Sequence, residues 1–399
     1  MSMVRWVPTE EEAFMRRSKL VAVMTRPGRR AVLVTIVVVA VLLIGGVVWA
    51  VVPPSTFGYV TVCHRADTPR QETLIIPRGQ ANGHISHGDP QVRCADPIPD
   101  TAAGVPIDPA KGYFVEEISD GVFWVTEGSY QVMFLTTGVG VIVVDAPPSI
   151  GANILTAIAE VTAEPITHVI YSHSHADHIS AASIYPEDAT YIAHEETAAQ
   201  LERDRPFPYG AFVGGGPVPS PDVVFSDSFT LTVGSKTLQL DYRGPNHEPG
   251  NLFIYAPDQK VLMLVDVIFP GWVPFADLAL AEDIPGYYEA HEQVLAYDFD
   301  VFIGGHLNRL GNRADVELAN EYILDIQANA AAALQQVDFF AIAEQTGFEN
   351  QWLLFSSYLD AVAAKCADLT VPAWTGQLAA VDIWTYDHCW KVVESLRID

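Results

Sequence analysis

The apolar and polar positions of the chain fall into three regimes. Ala31 to Val52 is a run of 22 residues without a charge, which predicts a single membrane-spanning helix ended by Pro53-Pro54. From about Gly112 the pattern shortens. Val122–Thr126, Gln131–Thr136 and Val141–Val144 read as consecutive strands separated by glycine-containing turns. Ala152–Val161 reads as a helix, and Ile166-Thr167-His168-Val169-Ile170-Tyr171 as a buried strand. A second β-rich half begins near Val223 and holds Thr230–Val233, Leu238–Tyr242, Leu252–Tyr255 and Val261–Val265. Helical periodicity returns at Tyr287–Ala296 and from Val316 to Gln336, and the last 60 residues read as helical with interspersed aromatics. Strands followed by helix, twice over, predict an α/β chain of two packed sheets with helices outside.

This patterning divides the 399 residues into a tail (1–30), an anchor (31–52), a small Cys/His segment (55–98), a large domain (110–325) and a helical C-terminal extension (326–399). Arg5, Arg16, Arg17, Lys19, Arg26, Arg29 and Arg30 precede the apolar run, so the tail is expected in the cytoplasm and the rest outside it, on a single-pass membrane protein. A cleaved signal peptide ending at Val48-Trp49-Ala50 is the alternative; the 30-residue leader and the length of the span argue against it. The tail carries seven Lys/Arg and three Asp/Glu, leaving 15 against 46 for the remainder, a net charge of −31. So acidic a surface repels phosphate backbones, which disfavours nucleic acid as a partner and leaves a small-molecule substrate.

The four cysteines, Cys63, Cys94, Cys366 and Cys389, all follow the apolar run. Outside the cytoplasm thiols oxidise, and proximity in sequence favours Cys63–Cys94 and Cys366–Cys389 among three pairings.

Candidate chemistry centres on His173-Ser174-His175-Ala176-Asp177-His178, directly after a predicted strand. Three imidazoles and a carboxylate are metal ligands, and loops leaving the carboxyl ends of strands are where α/β folds place their sites. His247 sits in the turn Gly244 to Asn251, Asp266 follows the strand Val261–Val265, and His306 follows Val301 to Gly305. Every candidate is at a strand exit, so all seven can converge on one edge. His168, His194 and His291 read as structural, His168 within the core. Asp145 either supports the ligands or caps the next helix.

This ordered set, across roughly residues 112–320, resembles the metallo-β-lactamase-fold hydrolases. The resemblance implies an αβ/βα sandwich in which His173, His175 and His247 hold one metal. It further implies that Asp177, His178 and His306 hold a second and Asp266 bridges the two. Where some β-lactamases of the family use a Cys ligand, this chain has Asp266, a pattern closer to the lactonase and glyoxalase II branches.

Such a centre suits two zinc ions, with iron and manganese as alternatives. The expected reaction is attack of a bridging hydroxide on the carbonyl of an ester, lactone, amide or thioester, with Asp177 as the catalytic residue that orients it. Two rival classes stay open: a metal-binding or interaction protein on a disused scaffold, and a non-haem iron oxidoreductase. Pro206 to Phe212 and Phe269 to Phe275 combine aromatics with Pro and Gly, which fits substrate loops or packed loops alike. Arg243 and Arg309 lie near the ligands and could meet an anionic group or a surface acid. Val62-Cys63-His64-Arg65 and Gly83-His84-Ile85-Ser86-His87-Gly88-Asp89 resemble a short module of exported bacterial proteins, either metal-binding or merely stapled by its disulfide.

Overall fold

The computed structural model describes residues 59–66, 68, 71–204 and 214–399. The predicted anchor at 31–52 and the aromatic loop Pro206 to Phe212 lie outside the described residues. Among the described residues no helix is long and apolar enough to cross a membrane. The chain forms two compact units, Met1–Cys94 and Ala95–Asp399.

In the first unit β1 (Tyr59–His64) pairs antiparallel with β2 (Glu72–Pro77), followed by α1 (Arg78–Ser86). The disulfide Cys63–Cys94 closes it.

The second unit is a four-layer sandwich. One sheet runs in sequence order through β3 (Phe114–Ser119), β4 (Val122–Thr126), β5 (Gln131–Thr136), β6 (Val141–Val144), β7 (Ile166–Ile170), β8 (Thr190–His194) and β9 (Val223–Phe225). The other runs through β10 (Ser228–Val233), β11 (Lys236–Asp241), β12 (Phe253–Ala256), β13 (Val261–Met263) and β14 (Val301–Ile303). Each sheet begins as an antiparallel meander and turns parallel, at β6 in the first and at β13 in the second.

The two-residue side-chain period of a strand explains the layering. Met133 and Leu135 of β5 meet Ile254 and Ala256 of β12 in a core between the sheets. Val132 and Phe134 face outward onto α2 (Asn153–Val161) through Ile154, Ala157 and Ile158. Phe253 and Tyr255 face the opposite way, onto α5 (Ile284–Leu295), α6 (Arg313–Gln336), α8 (Gln351–Trp374) and α9 (Val381–Ile398). The short helices α3 (Ala176–Ile179), α4 (Glu195–Asp204) and α7 (Phe339–Thr346) complete the set.

The strands expected at 122–126, 131–136 and 141–144 appear with those bounds. The helix that follows starts one residue late, because Ala152 is its cap. The final helices belong to the same unit as the sandwich, with Cys366–Cys389 joining α8 to α9. Both disulfides follow the pairing favoured by sequence proximity.

Candidate metal centre

The loop after β7 begins with a carboxylate from a neighbouring strand. Asp145, at the end of β6, adopts φ +62° and is fully buried; its Oδ1 accepts the backbone N–H of Ser172 at 2.8 Å. Burial pushes its carboxyl up to about 6, against the pull of His178. Asp145 therefore fixes the loop that starts the His run, while the cap of α2 makes no side-chain hydrogen bond. His173 and His175 leave this loop, and Asp177 and His178 occupy the first turn of α3.

The other sheet supplies the remainder. Asn246 Oδ1 accepts from the His247 N–H at 2.7 Å and from Asn251 Nδ2 at 2.9 Å. Asn251 Nδ2 also donates to the carbonyl of Val265 at 2.9 Å, which ties the His247 turn to the residue before Asp266. Asp266 sits at φ +63°, its N–H donating to the Gly304 carbonyl. A Cβ on Gly304 would lie 2.3 Å from the Ile268 carbonyl oxygen, so only glycine lets these two strand exits approach. His306 follows, and the Gln131 side chain donates to its carbonyl at 2.6 Å.

All seven predicted residues meet. His173, His175, His247 and Asp266 form one group whose ligand atoms lie within 4.8 Å of one another, and Asp177, His178 and His306 form another. Asp266 touches both. Its Oδ2 lies 3.1 Å from His178 Nε2, 3.3 Å from His247 Nε2 and 3.5 Å from His173 Nε2, and its Oδ1 lies 2.9 Å from His306 Nε2. His247 Nε2 stands 2.9 Å from His175 Nδ1, and His178 Nε2 stands 3.0 Å from His306 Nε2.

The electrostatics ask for cations. Burial drives His173 and His247 down to about 3, so both are neutral lone-pair donors at physiological pH. Burial opposes charge on His178 too, yet Asp266 and Asp177 outweigh it and push this imidazole up to about 9. Asp266, despite burial, is held well below the ordinary carboxylate range by His178, His306 and His247. His173 Nε2 is buried without a hydrogen-bond partner. An orphaned imidazole nitrogen beside a shared carboxylate fits a first-row divalent ion, whose bonds would satisfy both.

Two further residues belong to this centre and carried no signal in the sequence. Tyr130 donates its hydroxyl to Asp177 Oδ2 at 3.1 Å and packs its ring 4.5 Å from that of His306. Glu248, buried, accepts from the N–H and hydroxyl of Ser174, and its Oε2 lies 3.3 Å from His175 Nε2. A carboxylate on the outer nitrogen fixes the ring's tautomer and leaves Nδ1 aimed at the centre.

Other candidates fall outside. His194 donates to the Ser226 carbonyl and His291 contacts the Tyr287 carbonyl, both structural roles. His168 is half-buried rather than a core residue, its ring against the Thr167 hydroxyl in the middle of β7. Arg309 pairs with Asp315 at 2.8 Å, and Arg243 packs against Tyr297, so neither faces the ligands.

A cavity of about 550 Å³ opens onto the centre. Its walls include Tyr130, Phe269, Trp272, Phe275, Leu280 and Trp384, with no Lys or Arg among the described lining residues. Phe269, Trp272 and Phe275 come from the aromatic loop expected after Asp266. Trp384 comes from α9, in the helical C-terminal stretch with its interspersed aromatics. Between them runs Asp277 to Leu280, four consecutive residues at φ +54° to +58°. This left-handed turn costs L-residues about 1–2 kcal/mol each. His388 of α9 braces it, with Nε2 donating to the carbonyls of Pro274 and Phe275.

Comparison with known proteins agrees with this geometry. The Metallo-beta-lactamase superfamily model matches residues 125–306. The 2,4-dinitroanisole O-demethylase subunit alpha of Nocardioides sp. (strain JS1661) is 26% identical over 250 residues, covering 59% of this chain and 70% of that protein. The human acyl-coenzyme A thioesterase MBLAC2 is 22% identical over 251 residues, covering 53% of this chain and 87% of its own. Among solved structures, a metallo-β-lactamase from Pontibacter korlensis aligns with 18% identity and a TM-score of 0.44, over 52% of this chain and 99% of that one. The superfamily model matches the stretch that contains the strand exits bringing the candidate ligands together, residues 125–306.

Proposed function

We propose that the protein is a metal-dependent hydrolase of small substrates with an apolar acyl or aryl part. One observation carries this reading: a single buried carboxylate, Asp266, contacts imidazoles of both ligand groups. His173, His175 and His247 would hold one ion and Asp177, His178 and His306 a second, with Asp266 shared in the Asp-bridged manner. Zinc is the first candidate for both. Bound there, divalent ions supply Lewis acidity toward a carbonyl oxygen and lower the pKa of water toward about 7.

The chain's own residues do the rest. Asp177 faces the cavity, ionised, its carboxyl held below the usual range by His178 against the effect of burial. It orients a water and accepts its proton, and the Tyr130 hydroxyl fixes the carboxylate for that task. The aromatic walls bind the apolar part of the substrate and exclude bulk water. With no Lys or Arg among the described lining residues, ester, lactone, amide and thioester substrates with neutral acyl groups fit best. The acidic chain leaves nucleic acid aside, and two disulfides support an extracytoplasmic site of action, held by the 31–52 segment as a single-pass anchor.

The aromatic lining favours a second reading, carbon–oxygen cleavage in an aryl ether, the bond class named by the Nocardioides relative. The test measures metal per chain and hydrolysis of aryl esters, lactones, thioesters and aryl methyl ethers, before and after chelation. Activity lost with metal and in Asp266→Ala, and regained on zinc addition only in wild type, is expected. Hydrolysis that survives both treatments would sink the reading.

A further inference from the structure

The small unit that ends at Cys94 holds a second cluster of ligand-type side chains. His64 closes β1, His84 lies in the last turn of α1, and Asp89 follows the turn at Gly88, whose φ of +90° swings the chain back. The Asp89 N–H donates to the His84 carbonyl at 3.1 Å, and the Cys63 N–H donates to the Pro90 carbonyl at 3.0 Å. The disulfide at Cys63 then locks the residue beside His64.

Three elements thus aim three side chains at one point. Nδ1 of His64 and Nδ1 of His84 stand 2.8 and 2.9 Å from the same oxygen, Asp89 Oδ2. The other carboxylate oxygen is taken by the Arg65 N–H at 3.0 Å. The two rings meet edge to face at 5.0 Å, and the ligand atoms lie within 4.8 Å of one another. Asp89 is buried while both imidazoles are partly open to solvent, which gives an ion a way in.

We propose that His64, His84 and Asp89 form a site for one divalent transition-metal ion, zinc foremost, separate from the ligands of the large domain. Two imidazoles and one carboxylate are a donor set that zinc accepts, with water completing the tetrahedron. Bonds of about 2.0–2.1 Å need these donors only slightly further apart than they already stand. The ion takes the place of the two ring protons that now point at Oδ2.

The unit also has a reason to need it. Among its described side chains the buried apolar ones are Val62, Cys63 and Ala81, while Ile75, Ile85 and Val92 are exposed. So few buried apolar side chains make a small core for the described part of this unit, and one disulfide is a small allowance for it. A metal joining β1, α1 and the following turn supplies the second cross-link.

The test uses the full chain, stripped by chelator and titrated with Zn(II) alone. Wild type is expected to retain one zinc ion more per chain than His84→Gln and than Asp89→Asn. Both variants should keep the ions of the large domain and the Cys63–Cys94 bond, checked by peptide mapping. A second measurement needs no variant: zinc should protect His64 and His84 of the wild type from acylation by diethyl pyrocarbonate, read peptide by peptide. Equal zinc content in all three proteins, or modification of His64 and His84 at the same rate with and without zinc, would overturn the site.

Discussion

On the proposed mechanism Asp177 and Tyr130 act as a hydrogen-bonded pair whose contributions two substitutions separate. Asp177→Asn keeps the shape and removes the base, so turnover should fall about 10²–10⁴-fold. Tyr130→Phe removes one hydrogen bond to an ionised group, worth about 1.5–3 kcal/mol, and turnover should fall about tenfold or more. Steady-state kinetics with metal content measured alongside checks both. A loss that appears in KM alone would show that Tyr130 merely lines the cavity. At this scale the residues that meet at the centre were legible because imidazoles and carboxylates at strand exits have few other uses. Tyr130 and Glu248 were not. A tyrosine before a strand resembles any core aromatic, and Glu248 looks like a surface acid until the fold buries it against Ser174 and His175.

Among the elements, α9 links the C-terminal helices to the cavity wall through His388. Its Nε2 donates to the Pro274 and Phe275 carbonyls, and its Nδ1 lies 2.9 Å from the Tyr322 hydroxyl, an arrangement the neutral ring satisfies. Burial pushes His388 down to about 4, and His291 of α5 likewise. The unfolded chain protonates these rings near pH 6.5, whereas the folded chain resists until about pH 4. Their stabilising contribution is therefore complete above pH 6.5 and is lost as pH falls toward 4, at most about 3 kcal/mol for each ring. Thermal melts of His388→Gln should show a shallower fall in Tm between pH 7 and 4.5 than wild type. Parallel curves would refute the role of His388 in that loss. Periodicity revealed the strands and long helices, since each buries a regular face. It could not reveal the left-handed turn, because Ala276-Asp277-Leu278-Ala279-Leu280 has the propensity of an ordinary helix and contains no glycine. Only its place between α9 and the aromatic loop accounts for it.

For the molecule as a whole, the seven candidate ligands are dealt between two sheets that are consecutive in sequence. His173, His175, Asp177 and His178 belong to the half ending with β9, and His247, Asp266 and His306 to the half starting at β10. Neither ligand group is complete within one half. On the proposed reading, metal affinity would gauge sheet-to-sheet docking, the ion acting as a rivet that can form only once both halves have found each other. Two polypeptides cut between β9 and β10, residues 95–226 and 227–399, should each bind zinc weakly, and their mixture should bind it tightly while regaining a cooperative melt. Zinc held by the 95–226 piece alone as firmly as by the mixture would contradict this coupling. Chelation would then act on the intact protein as a separation of its halves, with loss of the centre and loosening of the fold arriving as one event.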